Sequence, residues 1–324
     1  MLAVTAALER SGFIRLVAVK TAGLFETERA LAVGLVALTA VLSMFLSNDM
    51  ALLTVLPLTY VALRETGGLS RLAFVFVLEA AAANLGGMLL PLGSPQNMFL
   101  FSFYVIPVRE FLGIMLLPFS VSMFLIVLLC LFLPNRNFAR PSLKAPGAQI
   151  QLTALSLILL LWTLAILLRV LPVSAAALVP ALFLIFDRKV LARLDWPLFI
   201  TFIGFFIVAG NLARSGLLRD WIEAAADSNV LLLSALGSQI VSNVPAALLL
   251  AQVTDQYREL LIGVNIGGVG TLSASLANLI ALSRYRAYQP GHTGSFLLQF
   301  TAVNVALLIA LLAIATAAFK MELL

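Results

Sequence analysis

Apolar runs fill this chain, and several are too short or too interrupted to behave as ordinary membrane spans. They cover Leu31–Leu46, Ala51–Leu63, Leu72–Leu90, Phe111–Leu133, Ile150–Leu168, Val173–Phe186, Trp196–Ala209, Val230–Val241, Ala246–Val253, Leu260–Leu282 and Phe296–Phe319. A full span needs about 20 apolar residues, because a helix rises about 1.5 Å per residue through about 30 Å of hydrocarbon. The runs within Leu31–Leu63 and Val230–Val253 are instead cut near their middles by Ser47-Asn48-Asp49 and Ser242-Asn243-Val244. Each pair is expected to form a re-entrant hairpin. Leu72–Tyr104 and Leu260–Leu282 are cut by Gly-rich polar stretches, as expected of a transmembrane helix that unwinds partway across. Unwound backbone at that depth is tolerated only against protein or a wet cavity.

Composition excludes the alternatives. With 62% apolar and 11% charged residues, the 324-residue chain lacks the polar skin of a soluble protein, which carries roughly a quarter charged residues. A single cysteine, Cys130, and a single histidine, His292, exclude a disulfide framework and a Cys/His zinc cluster. An intramembrane enzyme would need a nucleophile with its base, and no Ser/His or His/Glu arrangement stands in an apolar run. The net charge of +5 points to membrane orientation rather than nucleic acid. Met1–Leu24, with charges spread through its length, has no signal-peptide core and is expected to be one interfacial helix.

The interruptions recur. Leu8–Arg15 (LERSGFIR) matches Leu212–Arg219 (LARSGLLR) at an offset of 204, and Ser47-Asn48 matches Ser242-Asn243 at 195. Asn84–Asn97 (NLGGMLLPLGSPQN) matches Asn265–Asn278 (NIGGVGTLSASLAN) at 181, and the identities fall on Asn84/Asn265, Gly86/Gly267, Gly87/Gly268, Ser94/Ser275 and Asn97/Asn278. Chance similarity between apolar helices would match Leu with Leu. Identity confined to helix-breaking positions implies a duplicated site, and in transporters such repeats place the binding site. Residues 1–133 are read as the first repeat, 134–149 as a cytoplasmic linker and 150–324 as the second repeat. With that linker inside, fourteen of the 20 Lys and Arg fall on the cytoplasmic side, which makes the repeats inverted in topology.

The first repeat is expected to be N-terminally incomplete. Carrying Ile150 back by 204 puts its counterpart about 54 residues before Met1, room for two or three spans. The unmatched apolar surface of the second repeat would then need lipid or a second copy of the chain, as in a homodimer.

Four helix breaks brought to mid-membrane offer N–H groups and partial positive charge at half-helix N-termini, suited to anions. Carbonyls at the opposite ends suit Na⁺. Candidate substrate- and ion-binding residues are Ser47, Asn48, Asp49, Asn84, Gly93, Ser94, Gln96, Asn97, Ser242, Asn243, Asn265, Thr271, Ser273, Ser275 and Asn278. Asn48, Asn97, Asn243 and Asn278 are the candidate Na⁺ ligands. Asp49, which faces Val244 in the repeat, and Glu79, five residues before Asn84, are the acids within apolar runs. Each is either a proton or coupling-ion carrier or a hydrogen-bonded structural acid, since a charged carboxylate at the bilayer centre is costly.

The SND tip, the SNV-P-A-A tip, NLGG…GSPQN and NIGG…SLAN together resemble the ion transporter superfamily, which includes divalent anion/sodium symporters, citrate transporters, arsenite efflux permeases and some Na⁺/H⁺ antiporters. The resemblance covers nearly the whole chain. It implies substrate and Na⁺ bound between the two hairpin tips and the two broken helices. Dicarboxylate symporters typically carry Ser-Asn-Thr at both tips; here Asp49 and Val244 replace the threonines, a form closer to the arsenite-permease and general anion-permease branch. The expected fold is all-α, a polytopic protein of the cytoplasmic (inner) membrane with inverted repeats, two re-entrant hairpins and two broken helices. The expected function is secondary active transport of a small inorganic or organic anion by alternating access, as a symporter or antiporter coupled to H⁺ or Na⁺, with no cofactor. Arsenite efflux, Na⁺/H⁺ antiport and, from another class, a channel are the alternatives.

Overall fold

The computed structural model describes residues 1–138, 147–192, 194, 196–212 and 216–324, with helix backbone alone at 197–199, 202, 206, 209, 212 and 216–228. Linker residues 139–146 and the side chains of the Leu212–Arg219 motif therefore lie outside the described residues.

The described chain is helical. Two short helices, α1 (Leu2–Arg10) and α2 (Phe13–Ala22), precede the first hairpin, α3 (Glu28–Phe45) and α4 (Asn48–Glu65). The first broken helix follows as α5 (Leu72–Gly86) and α6 (Pro95–Phe103), and α7 (Val108–Cys130) closes this half. After the linker come α8 (Ile150–Leu167), α9 (Leu178–Phe186), α10 (Arg188–Ala192) and α11 (Trp196–Leu212). The second hairpin is α12 (Gly216–Val241) and α13 (Asn243–Leu250), the second broken helix α14 (Tyr257–Ile266) and α15 (Leu276–Tyr288), and α16 (Thr293–Lys320) ends the chain.

Among the described residues, five helices are long and apolar enough to cross a membrane: Glu28–Phe45, Leu69–Gly86 (which includes a leading 3-10 turn), Val108–Cys130, Ile150–Leu167 and Pro290–Lys320. Their burial separates them into two kinds. In Leu69–Gly86, 78% of residues are buried against protein, compared with 22% in Ile150–Leu167. The α5 stretch is thus surrounded by α3, α4, α7, α15 and α16, while α8 packs mainly against α1 and leaves much of its apolar surface uncovered by the described residues. An apolar helix that is covered all round is a core element, and one that stays exposed needs an apolar solvent.

Two local helix interruptions have physical causes, the first a departure from the single helix expected and the second falling where the apolar run Val230–Val241 begins. Met1–Leu24 is two helices, because Ser11 Oγ donates to Leu8 O at 2.7 Å and Gly12 takes φ +78, a conformation open to glycine. The α12 run is interrupted at Asn229, whose extended backbone lets its Oδ1 accept from Leu232 N at 2.9 Å and start a new helix. The hairpins are also unequal. Both arms of the first have 18 residues, about 27 Å, while α13 has 8, about 12 Å.

Candidate functional site

All four interruptions are real helix breaks, and each starts a new helix at its polar motif. Ser47 and Ser242 are the N-caps of α4 and α13, both at positive φ (139 and 73), which non-glycine residues seldom adopt. Such strain at equivalent positions marks tips held in place by their surroundings. Ser94 and Ser275 are the N-caps of α6 and α15, with nearly identical extended backbones.

Close approach between hairpins and broken helices follows the repeat. A Cβ on Gly86 would lie 2.6 Å from Ala40 Cα, and one on Gly267 would lie 2.9 Å from Ala235 Cα. Ala40 and Ala235 are related by the same offset of 195 as the two tips, as are Ser43 and Ser238. Only small residues on both sides allow backbones this near. Gly93 serves the same purpose within its own loop, since a Cβ there would overlap the Gly87 carbonyl.

The asparagines then join the two broken helices reciprocally. Asn84 Nδ2 donates to Asn278 Oδ1 at 2.9 Å, and Asn265 Nδ2 donates to Asn97 Oδ1 at 2.6 Å. Asn84 matches Asn265 and Asn97 matches Asn278, so one bond is the repeat image of the other. The second asparagine of each motif also secures its own unwound loop. Asn97 donates to Gly87 O and Met88 O at 3.3 and 3.2 Å, and Asn278 donates to Gly268 O and Thr271 O, both at 3.0 Å. The first hairpin enters through Asn48 Nδ2, which donates to Asn84 Oδ1 at 3.1 Å, an oxygen shared with Ser275 Oγ at 2.7 Å. At the second tip, buried Asn243 lies against Gly268, and Ser242 Oγ donates to Ala274 O at 3.2 Å.

Asn48, Asn84, Asn97, Asn243, Asn265, Asn278, Ser94, Gln96 and Ser275 are all buried. Among them, Ser94 Oγ, Gln96 Oε1 and Asn265 Oδ1 have no hydrogen-bond partner in the protein. Buried polar atoms are nearly always satisfied, so unsatisfied ones at a helix break are suited to an incoming ligand. Asp49 sits half-buried in the first turn of α4, its N–H donating to Asn48 Oδ1 at 3.1 Å. Glu79 is fully buried on α5 and accepts from Thr59 Oγ1 at 2.5 Å, with Oε2 lacking a protein partner.

Two of the expected ligands turn their hydroxyls away from the asparagines. Thr271 and Ser273 are exposed, and both hydroxyls donate to Gln239 O, at 3.1 and 2.9 Å. The cause is Gln239, a residue the repeat did not single out. Its Nε2 donates to Gly267 O at 2.8 Å and Val269 O at 3.2 Å, and its Oε1 accepts from Thr271 N at 2.8 Å. One amide thus ties the second unwound loop to α12. Asn304, fully buried on α16 with Oδ1 unpartnered, was likewise not singled out. Both are carboxamides within apolar runs, which is the signal that could have found them.

Broken helices that meet at a buried polar chain, within helices able to cross a bilayer, are those of an all-α polytopic membrane protein. Residues 1–258 match the family model described as citrate transporter, and the chain belongs to that family. It is 32% identical over 261 residues, 80% of the chain and 72% of the relative, to the uncharacterized transporter MJ0456 of Methanocaldococcus jannaschii. It is also 32% identical over 301 residues, 87% of the chain and 77% of the relative, to the inner membrane protein YbiR of Escherichia coli.

Proposed function

We propose that the protein is a secondary active transporter of the inner membrane that carries a small anion by alternating access, coupled to H⁺ or Na⁺. The observation that carries this reading is the reciprocal pair of bonds Asn84–Asn278 and Asn265–Asn97 at two helix breaks. Two inverted halves, residues 1–133 and 150–324, that share one site can expose it to either side by exchanging conformations. Half-helix N-termini at Asn48, Pro95, Asn243 and Leu276 supply partial positive charge for the anion, and the loop carbonyls near Asn97 and Asn278 supply oxygens for Na⁺. Asp49 is the coupling residue, because it places a titratable group in the first turn of α4 where the second repeat has Val244. Glu79 is the second candidate.

The test is uptake by proteoliposomes of a panel of anions and oxyanions under imposed Na⁺ and pH gradients. Saturable accumulation above equilibrium is expected with one of the two gradients, and Asp49→Asn is expected to abolish accumulation while the protein still folds and inserts. Flux that only dissipates gradients would make the protein a channel. Gradient-driven uptake unchanged in Asp49→Asn would shift the coupling role to Glu79, to be tested as Glu79→Gln.

A further inference from the structure

The two junctions between the broken helices are built from matching residues, yet only one of them is completed. Where α15 meets α5, Asn84 Oδ1 accepts from Ser275 Oγ at 2.7 Å and from Asn48 Nδ2 at 3.1 Å. The repeat offsets carry Asn84, Ser275 and Asn48 onto Asn265, Ser94 and Asn243. Where α6 meets α14, however, Asn265 Oδ1 and Ser94 Oγ are both buried without a protein partner. The atoms left over at the second junction are therefore the ones whose repeat images are bonded at the first.

Nothing in the local backbone forbids the missing bond. Ser94 and Ser275 have nearly identical extended backbones, and each junction has its asparagine pair, Asn265–Asn97 at 2.6 Å and Asn84–Asn278 at 2.9 Å. Asn265 Nδ2 also donates to Leu261 O at 2.7 Å, which fixes the amide and leaves Oδ1 as a pure acceptor. The serines differ: Ser275 Oγ also accepts from Ala277 N at 3.3 Å, whereas α6 has no side-chain cap. Buried oxygens left without a partner are costly. Closing the second junction while the first opens would conserve the number of buried bonds and pass the unpaired atoms to Asn84 and Ser275. Two arrangements that differ only in which junction is satisfied are close in energy, as a two-state element requires.

We infer that the Ser275–Asn84 bond and its unmade image, Ser94–Asn265, are a hydrogen-bond exchange switch. In the opposite-facing state Ser94 and Asn243 donate to Asn265, and Asn84 releases Ser275 and Asn48. The inference rests on the alternating-access reading above and names the bonds that alternate. It gives the Ser94 hydroxyl a partner that exists in the other state alone.

The test is amide hydrogen exchange of the full chain in lipid nanodiscs, read over residues 277–282 at the start of α15. These amides lose protection when the first junction opens, so their exchange follows the population of the opposite state. Ser275→Ala removes a bond of the present state and should speed that exchange about fivefold. Ser94→Ala removes a hydroxyl that bonds nothing in the present state, and should slow the exchange about fivefold, because the opposite state loses its bond. Ser94→Thr keeps the hydroxyl and should behave like the parent. A static junction predicts no effect of Ser94→Ala on α15. Unchanged or faster exchange in Ser94→Ala, equal slowing in Ser94→Thr, or unchanged exchange in Ser275→Ala would each overturn the switch and leave the transporter reading standing. Failure of every gradient-driven uptake in the proteoliposome panel would instead remove the reading on which the switch depends.

Discussion

Gln239 shows how one side chain can set the rigidity of a helix break. Its amide satisfies two carbonyls and one N–H of the second unwound loop, while its own carbonyl accepts from Thr271 and Ser273. The residue at the equivalent position of the first repeat is Met44, which has no such donors. The first loop depends instead on Asn97 and on Ser43 Oγ, which donates to Ala83 O at 2.5 Å. Replacing Gln239 with Leu leaves buried backbone groups unpaired, at about 1–3 kcal/mol. Thermal unfolding of the solubilised protein should show that loss, and Met44→Leu should change stability by less than about 0.5 kcal/mol. A Gln239→Leu variant as stable as the parent would mean that the loop is held by other contacts.

At the scale of elements, α6 and α13 both start at the site, and their far ends are fastened together. Tyr104 OH donates to Thr254 O at 2.6 Å, and its ring lies 5.5 Å from that of Tyr257. Tyr257 OH and Arg258 Nη2 both donate to Glu110 Oε1 at 2.7 Å. The repeat image of the Tyr104–Tyr257 pair is Tyr285–Phe76, whose rings are 6.2 Å apart, with Tyr60 stacked on Tyr288 nearby at 4.0 Å. One fastening therefore uses hydrogen bonds and an ion pair, and the other uses rings alone. Tyr104→Phe keeps the ring and removes the hydroxyl, so amide hydrogen exchange over residues 251–257 should accelerate roughly tenfold, with residues 72–86 unchanged. Unaltered exchange would show that the rings hold this connection without the hydroxyl. The breaks beneath these fastenings were legible because Ser, Asn and Gly are conspicuous in apolar runs. The aromatic pairs were not, although they obey the offset of 181, because an aromatic match inside an apolar helix looks like background. The split between α1 and α2 was hidden for a related reason: Ser11-Gly12 sits among charges where polar residues are expected. Gln239 was missed because it matches a methionine, and a search for identities passes over what one repeat has and the other lacks.

For the whole molecule, the inverted arrangement proposed above makes a directional prediction. Cys130 is the sole cysteine and is fully buried, so Cys130→Ser provides a background for single-cysteine labelling. Arg64, Gln149, Val170 and Asp255 are all exposed. An impermeant thiol reagent outside intact cells should label Val170→Cys and Asp255→Cys and miss Arg64→Cys and Gln149→Cys, which should react only after permeabilisation. Labelling of all four from one side would dismantle the inverted topology. The reciprocal asparagine bonds carry a further consequence for synthesis. Their partners are separated by 194 and 168 residues along the chain, so loop-closure entropy is paid before either bond forms. On the ribosome, α5 emerges with the amide of Asn84 waiting for an oxygen that is translated almost 200 residues later. Until then, that amide must be kept wet or borrowed by a chaperoning partner, and insertion of the first half is provisional until α15 arrives.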